Sequence, residues 1–218
     1  MLNKSARSFS TSLRTDSNRL TGGGTARCLE SVESRGLGEG WSDAFSNWVW
    51  QTGSPKTVRD FATGTWILGN TGGVRSHPYS LDQTVNPLKY GDVAGKEEEH
   101  IIGEVWAQAL HLALGKLVET VGSSADALTN ADGEGGHAVF MRLLVDALAI
   151  QPCNPTFTDA RSAWIQADEV RYGGKHKCAL WTAFAAAGLG DGAAGFINSD
   201  KIPADACSTS CKARKARA

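Results

Sequence analysis

The sequence predicts a mainly α-helical lobe with long irregular loops, and three observations predict it. Leu37, Trp41, Ala44, Phe45, Trp48 and Val49 fall at the spacing of one helix face. Ile101, Ile102, Val105, Trp106, Leu110, Leu114 and Leu117 give a second, longer helix broad apolar coverage. Between the two, residues 69–93 are dense in Gly, Pro, Asn and Asp and read as a long surface loop.

Composition bounds the answer. A chain of 218 residues with 41% hydrophobic and 21% charged residues can bury a sizeable core as one soluble globular domain with tails. A net charge of -1 argues against a nucleic-acid or anionic-membrane partner for the body. No apolar run reaches the ~18 residues of a transmembrane helix, and the N-terminus lacks the apolar stretch of a signal peptide. Residues 1–16 read as an N-terminal tail: residues 1–15 carry Lys4, Arg7 and Arg14 and no acid among many Ser and Thr, a composition like that of a mitochondrial transit peptide or of non-native upstream sequence, and residues 1–26 lack sustained periodicity.

The elements follow in order. The first helix spans 38–51 and stops at Gly53-Ser54-Pro55. Residues 56–68 hold a short strand or buried segment from Phe61 to Leu68. The long helix runs from Glu97 to Val121, with an acidic first turn that suits the positive end of its dipole. After a Gly-rich linker at 122–136 come helices over 137–150, 159–171 (capped by Thr158) and 177–187, the last stopped by Gly188 and Gly190. Residues 203–218 read as a basic, polar tail.

The first helix carries Glu39 and Asp43, about 40° apart on the face opposite its apolar stripe. Read alone, an E-x-x-x-D pair is a solvated polar face whose charges repel by a few tenths of a kcal/mol, approximately. Gly38 and Gly40 flank the glutamate at a propensity cost of roughly 1 kcal/mol each. Close backbone approach by another element would explain them.

Ser17-Asn18-Arg19-Leu20-Thr21-Gly22-Gly23 followed by Gly38-Glu39-Gly40-Trp41-Ser42-Asp43 resembles the fungalysin family of secreted fungal zinc endopeptidases, built like thermolysin. Val74-Arg75-Ser76-His77-Pro78-Tyr79-Ser80, Thr84-Val85-Asn86-Pro87-Leu88, His100-Ile101-Ile102-Gly103-Glu104-Val105-Trp106-Ala107, Gln151-Pro152-Cys153-Asn154-Pro155-Thr156-Phe157 and Gln166-Ala167-Asp168 continue the resemblance, in the family's order, over roughly residues 17–190. It implies a zinc ligand at Glu39, a brace for a ligating histidine at Asp43, and a hydrogen-bond donor to the reaction's oxyanion at His100. It also implies Zn2+ as cofactor, protein and peptide substrates, export from the cell, and the C-terminal lobe of such an enzyme over 17–202. The family's H-E-x-x-H helix would fall at residues 10–14, which read Ser10-Thr11-Ser12-Leu13-Arg14, and the motif occurs nowhere else in the chain. One carboxylate cannot hold a catalytic zinc, which takes three protein ligands. The expectation is therefore an incomplete, inactive form whose partner is the missing N-terminal lobe or propeptide. The alternative is a non-catalytic helical binding or regulatory domain derived from the protease fold.

Other constellations have blander readings. Without the resemblance, His100 is an exposed histidine at a helix start. His77, His137 and His176 read as solvent-exposed, and His111 lies ~16 Å along the helix from His100, too far to share an ion. Of the five cysteines, Cys153 and Cys178 bracket a helix pair and form a candidate disulfide, with buried thiols as the alternative. Cys207-x-x-x-Cys211 lacks the neighbours of a metal site.

Overall fold

A computed structural model describes residues 17–24, 27–52 and 57–207. Among them the helices are α1 (Val32–Gln51), the short α2 (Thr65–Leu68), α3 (Glu99–Val121), α4 (Gly136–Ile150), α5 (Phe157–Tyr172) and α6 (Lys177–Ala186), with 3-10 turns at Thr21–Gly23 and Tyr90–Val93. The fold is mainly helical, as the spacing of apolar residues predicts. The stretch from Phe61 to Leu68 is not a strand: Phe61 forms an isolated antiparallel bridge with Tyr79, and Thr65–Leu68 is the short α2.

α3 is the axle. Trp106, Ala109, Leu110, Ala113, Leu114 and Leu117 are fully buried, and α1, α4 and α6 pack around them. Trp106 stands edge-on to Trp41 of α1 and to Phe157 of α5, and stacks on Phe184 of α6. One aromatic side chain thus ties four helices together, and such ring contacts add to the gain from area burial.

α1 starts six residues earlier than its apolar spacing suggests, because Ser31 caps it by accepting the Ser34 N–H. Its entry is set from a distance. Asn154 Oδ1 accepts the Glu30 N–H at 2.6 Å and the Ser34 hydroxyl at 3.3 Å, while Glu33 Oε1 accepts the Phe157 N–H at 2.8 Å. The cap of α5 is likewise Thr156, in a reciprocal capping box with Asp159, rather than Thr158. The segments 17–23 and 151–157, both part of the family resemblance, touch each other: Gln151 Nε2 donates to Thr21 Oγ1 at 2.8 Å.

The disulfides are Cys28–Cys153 and Cys178–Cys207, not Cys153–Cys178. The turn at 151–157 folds back onto the chain entering α1, which carries Cys153 toward Cys28 and away from α6. Cys207 and the Asp205–Lys177 ion pair fasten residues 203–207 to the start of α6. Residues 1–16, the rest of the basic tail at 208–218, Cys211 and the helix-stopping 53–55 lie outside the described residues.

Candidate metallopeptidase half-site

α1 and α3 cross through glycines. A Cβ on Gly40 would sit 2.7 Å from the Gly103 carbonyl oxygen and 2.8 Å from the Trp106 Cβ, distances real side chains do not adopt. A Cβ on Gly103 would lie 2.8 Å from that of Glu39. The absent side chains let the two backbones approach, and they explain Gly40 inside a helix despite its cost.

The same close approach sets Glu39 beside His100. Glu39 is 9% exposed, and its Oε2 lies 3.4 Å from His100 Nε2. The other ring nitrogen, Nδ1, is 2.5 Å from Glu98 Oε1. Glu98 is also the N-cap of α3, its second oxygen accepting the Ile101 N–H at 2.8 Å. Burial pulls the Glu98 carboxyl up, but hydrogen bonds from the His100 ring and the His100 and Ile101 N–H groups outweigh it and hold it below its usual value. His100 is half-exposed, and it is held between two carboxylates rather than waving in solvent.

Asp43, one turn on from Glu39, is 4% exposed. The two acids are therefore not a solvated face, and each meets its own cationic or polar partner. Arg75 donates from Nε and Nη2 to the two oxygens of Asp43 at 2.7 and 3.2 Å, and the Tyr79 hydroxyl donates at 2.5 Å. Burial lowers the Arg75 guanidinium, but its bonds to Asp43 more than reverse this and leave it above its ordinary value. Burial, with the Asp43 charge, pushes the Tyr79 phenol well up, so it remains a proton donor.

The loop that supplies Arg75 and Tyr79 is stapled to both helices in turn. Arg75 and Tyr79 reach Asp43 on α1, and Ser76 bonds through N–H and hydroxyl to Glu104 on α3. Ser80 exchanges two hydrogen bonds with the Gln108 side chain, as a β-strand neighbour would. The loop at 69–93 is thus a wall beside the α1–α3 crossing. The sequence reads this stretch as a surface loop walling a cleft and places Glu104 on one helix face with His100 and His111, but it does not single out Arg75, Tyr79 or Glu98 as partners; an arginine in a family-like loop, with two acids one turn apart on a helix, was the available signal.

Two histidines depart from expectation. His137 and His176 are 1% and 2% exposed, not solvated. The His176 Nδ1 bonds Asp168 at 2.7 Å, and His137 accepts the Ser124 N–H. His111 is sealed between α1 and α3, where Asn47 Nδ2 lies 2.7 Å from its Nδ1. Burial depresses its pKa to about 3, so the ring is neutral.

Residues 15–193 match the family described as fungalysin metallopeptidase (M36). The chain belongs to that family. It is 40% identical over 210 residues to an extracellular metalloproteinase of Pyrenophora tritici-repentis, covering 92% of this chain and 32% of the relative. It is 40% identical over 199 residues to the extracellular metalloproteinase mep of Aspergillus fumigatus, covering 88% and 31%. An extracellular metalloproteinase of Uncinocarpus reesii is 43% identical over 183 residues, covering 81% and 28%. This fungalysin chain spans about a third of the length of the curated relatives it matches.

The family name implies a metal, and the residues can be tested against one. Among the described residues no group of three or more His, Cys, Asp or Glu could hold an ion. Glu39 offers one oxygen-donor group, His100 already faces it, and Asp43 is ion-paired to Arg75. The described part of the fungalysin chain does not by itself fit a catalytic zinc.

Proposed function

We propose that this chain is the C-terminal lobe of an exported zinc metalloendopeptidase, incomplete and inactive alone, which cleaves proteins internally once the rest of the catalytic domain is present. The names of its relatives support export and proteolysis. In this reading Glu39 is the single metal ligand the lobe contributes. Asp43, fixed by Arg75 and Tyr79, braces a ligating histidine from the complementary lobe. His100 donates a hydrogen bond to the oxygen that becomes negative as the scissile carbon turns tetrahedral. Charge appears there only near the transition state, so one well-placed donor is typically worth ~10²–10³ in rate. Glu98 holds Nδ1 of that ring and thereby points Nε2 toward the groove.

The observation that carries the reading is the 3.4 Å approach of His100 Nε2 to Glu39 Oε2 across the α1–α3 crossing. It joins two groups distant in sequence at the edge of a stapled loop. The test is metal analysis of the purified chain after dialysis, alongside casein hydrolysis. The reading expects less than stoichiometric zinc and no turnover; one zinc per chain with measurable turnover contradicts the claim of incompleteness.

A second reading, a non-catalytic helical binding or regulatory domain, draws on the Arg75–Asp43 pair, which already occupies the brace. A binding role survives Glu39→Gln intact, whereas a catalytic lobe does not.

A further inference from the structure

Residues 75–80 run beside α3 in step with it. Ser76 meets Glu104 and Ser80 meets Gln108, so both contacts join residues 28 positions apart. Arg75 and Tyr79, on the other side of the same segment, reach Asp43 on α1. The segment therefore alternates between the two helices, and each bond to α3 sits next to a bond to α1. Glu104 holds the position beside Arg75. It is 6% exposed, and it accepts the Ser76 N–H at 3.0 Å on one oxygen and the Ser76 hydroxyl on the other.

A carboxylate that grips both donors of one residue fixes that residue's backbone along with its side chain, because charge-assisted hydrogen bonds are the strong ones. Arg75 is the next residue in the chain, so its backbone is held too. Its guanidinium meets the two oxygens of Asp43 through Nε and Nη2, a fork that tolerates little displacement. The Glu104 charge also acts on the Arg75 guanidinium and the Tyr79 phenol, behind burial and Asp43 in each case.

Holding Arg75 from a second side has a use. A carboxylate offers about four acceptor positions. Arg75 and Tyr79 fill three of them on Asp43, two on Oδ2 and one on Oδ1. Among the described residues Oδ1 thus keeps room for a further donor. We infer that Glu104 is a positioning residue, which through Ser76 holds the Arg75 guanidinium on Asp43 while Asp43 takes that further donor. The identity of the donor, a histidine N–H of the complementary lobe, rests on the proteolytic reading above; the hold on Arg75 does not, and its test needs no turnover.

The experiment follows the Arg75 Nε–H of the full chain by heteronuclear NMR and measures its exchange with water. The buried Ala109 and Ala113 amides of α3 are the reference, because their exchange reports global opening. Glu104→Ala removes both bonds to Ser76. It is expected to speed Arg75 Nε–H exchange about tenfold or more beyond any change in the reference amides, the scale of a lost hydrogen bond to a charged group. Glu104→Gln keeps an acceptor for the Ser76 N–H and offers an N–H to its hydroxyl oxygen, so the rate should return to within about threefold of the unaltered chain. Ser76→Ala deletes one of the two bonds from the loop side and should fall between, which keeps the test decisive where Glu104→Ala does not fold. Arg75 exchange that stays unchanged in Ser76→Ala and Glu104→Ala overturns the inference. A rise matched by the reference amides also overturns it, since Glu104 then serves general stability alone. So does Glu104→Gln behaving like Glu104→Ala, because charge and not the grip on Ser76 then orients the guanidinium. The expected exchange rates alongside failed complementation by a fragment carrying H-E-x-x-H support the hold on Arg75 and remove the metal-site reading. Complemented cleavage with unchanged Arg75 exchange does the reverse.

Discussion

Nε2 of His100 lies 3.4 Å from Oε2 of Glu39, although the two residues belong to separate helices. Gly103, one turn along α3 from His100, is what permits it, because the Glu39 Cβ occupies the space a side chain there would need. The juxtaposition of the two polar groups is therefore a consequence of how closely two backbones pack.

Gly103→Ala is accordingly expected to push α1 and α3 apart. Overpacking of this kind costs about 1–3 kcal/mol, read as a lowered urea midpoint. The same variant should reduce nuclear Overhauser contacts between the His100 ring and the Glu39 side chain. An unchanged midpoint with those contacts intact would show that the crossing tolerates a methyl group.

Asp43 should matter more to stability than its place on a helix surface suggests. With side-chain exposures of 5% for Asp43 and 10% for Arg75, the pair is buried. Asp43→Asn takes away the carboxylate that the guanidinium is bonded to and leaves Glu104 as a weaker counter-charge, a loss expected to cost about 3 kcal/mol. Tyr79→Phe removes one hydrogen bond to a charged group and should cost about 1.5–3 kcal/mol. Thermal unfolding of the two variants measures both, and Asp43→Asn should be the worse.

The mainly helical fold was readable because α3 and α4 are long, apolar and periodic. The start of α1 was obscured by Gly36, Gly38 and Gly40, which carry no hydrophobic signal although they lie inside the helix. The pairing of Glu39 with His100 could be anticipated only through family resemblance, since 61 positions separate them (100 minus 39). Arg75 and Tyr79 were visible as residues but not as partners: nothing local indicates that a loop will fold onto Asp43. The burial of His137 and His176 escaped for the same reason, as a histidine's burial depends on which distant groups meet it.

His111 predicts an acid limit to stability. Its folded pKa is depressed to about 3 by burial, against 6.5 for a free imidazole. Between those values the unfolded chain binds a proton that the folded chain does not, so stability falls as pH drops below about 6.5, by up to ~1.4 kcal/mol per unit from this group. The His111 Cε1 proton resonance should fail to titrate from pH 7 to pH 5 in the folded protein. A midpoint near 6 would place the ring in water.

The disulfides give a covalent check on the fold. Peptide mapping without reductant should recover Cys28 joined to Cys153 and Cys178 joined to Cys207. Replacing Cys28 and Cys153 by serine opens a link between residues 125 positions apart and should cost about 2–5 kcal/mol.

The most direct test of the central claim, that Glu39 is the contribution of one lobe to a shared metal centre, is complementation. The chain is mixed with a fragment of a fungalysin relative that ends after its H-E-x-x-H helix, and zinc content and casein cleavage are followed together. The account predicts that both appear only in the mixture and that Glu39→Gln abolishes both while leaving the fragments associated. Cleavage and zinc uptake that persist undiminished with Glu39→Gln would contradict it.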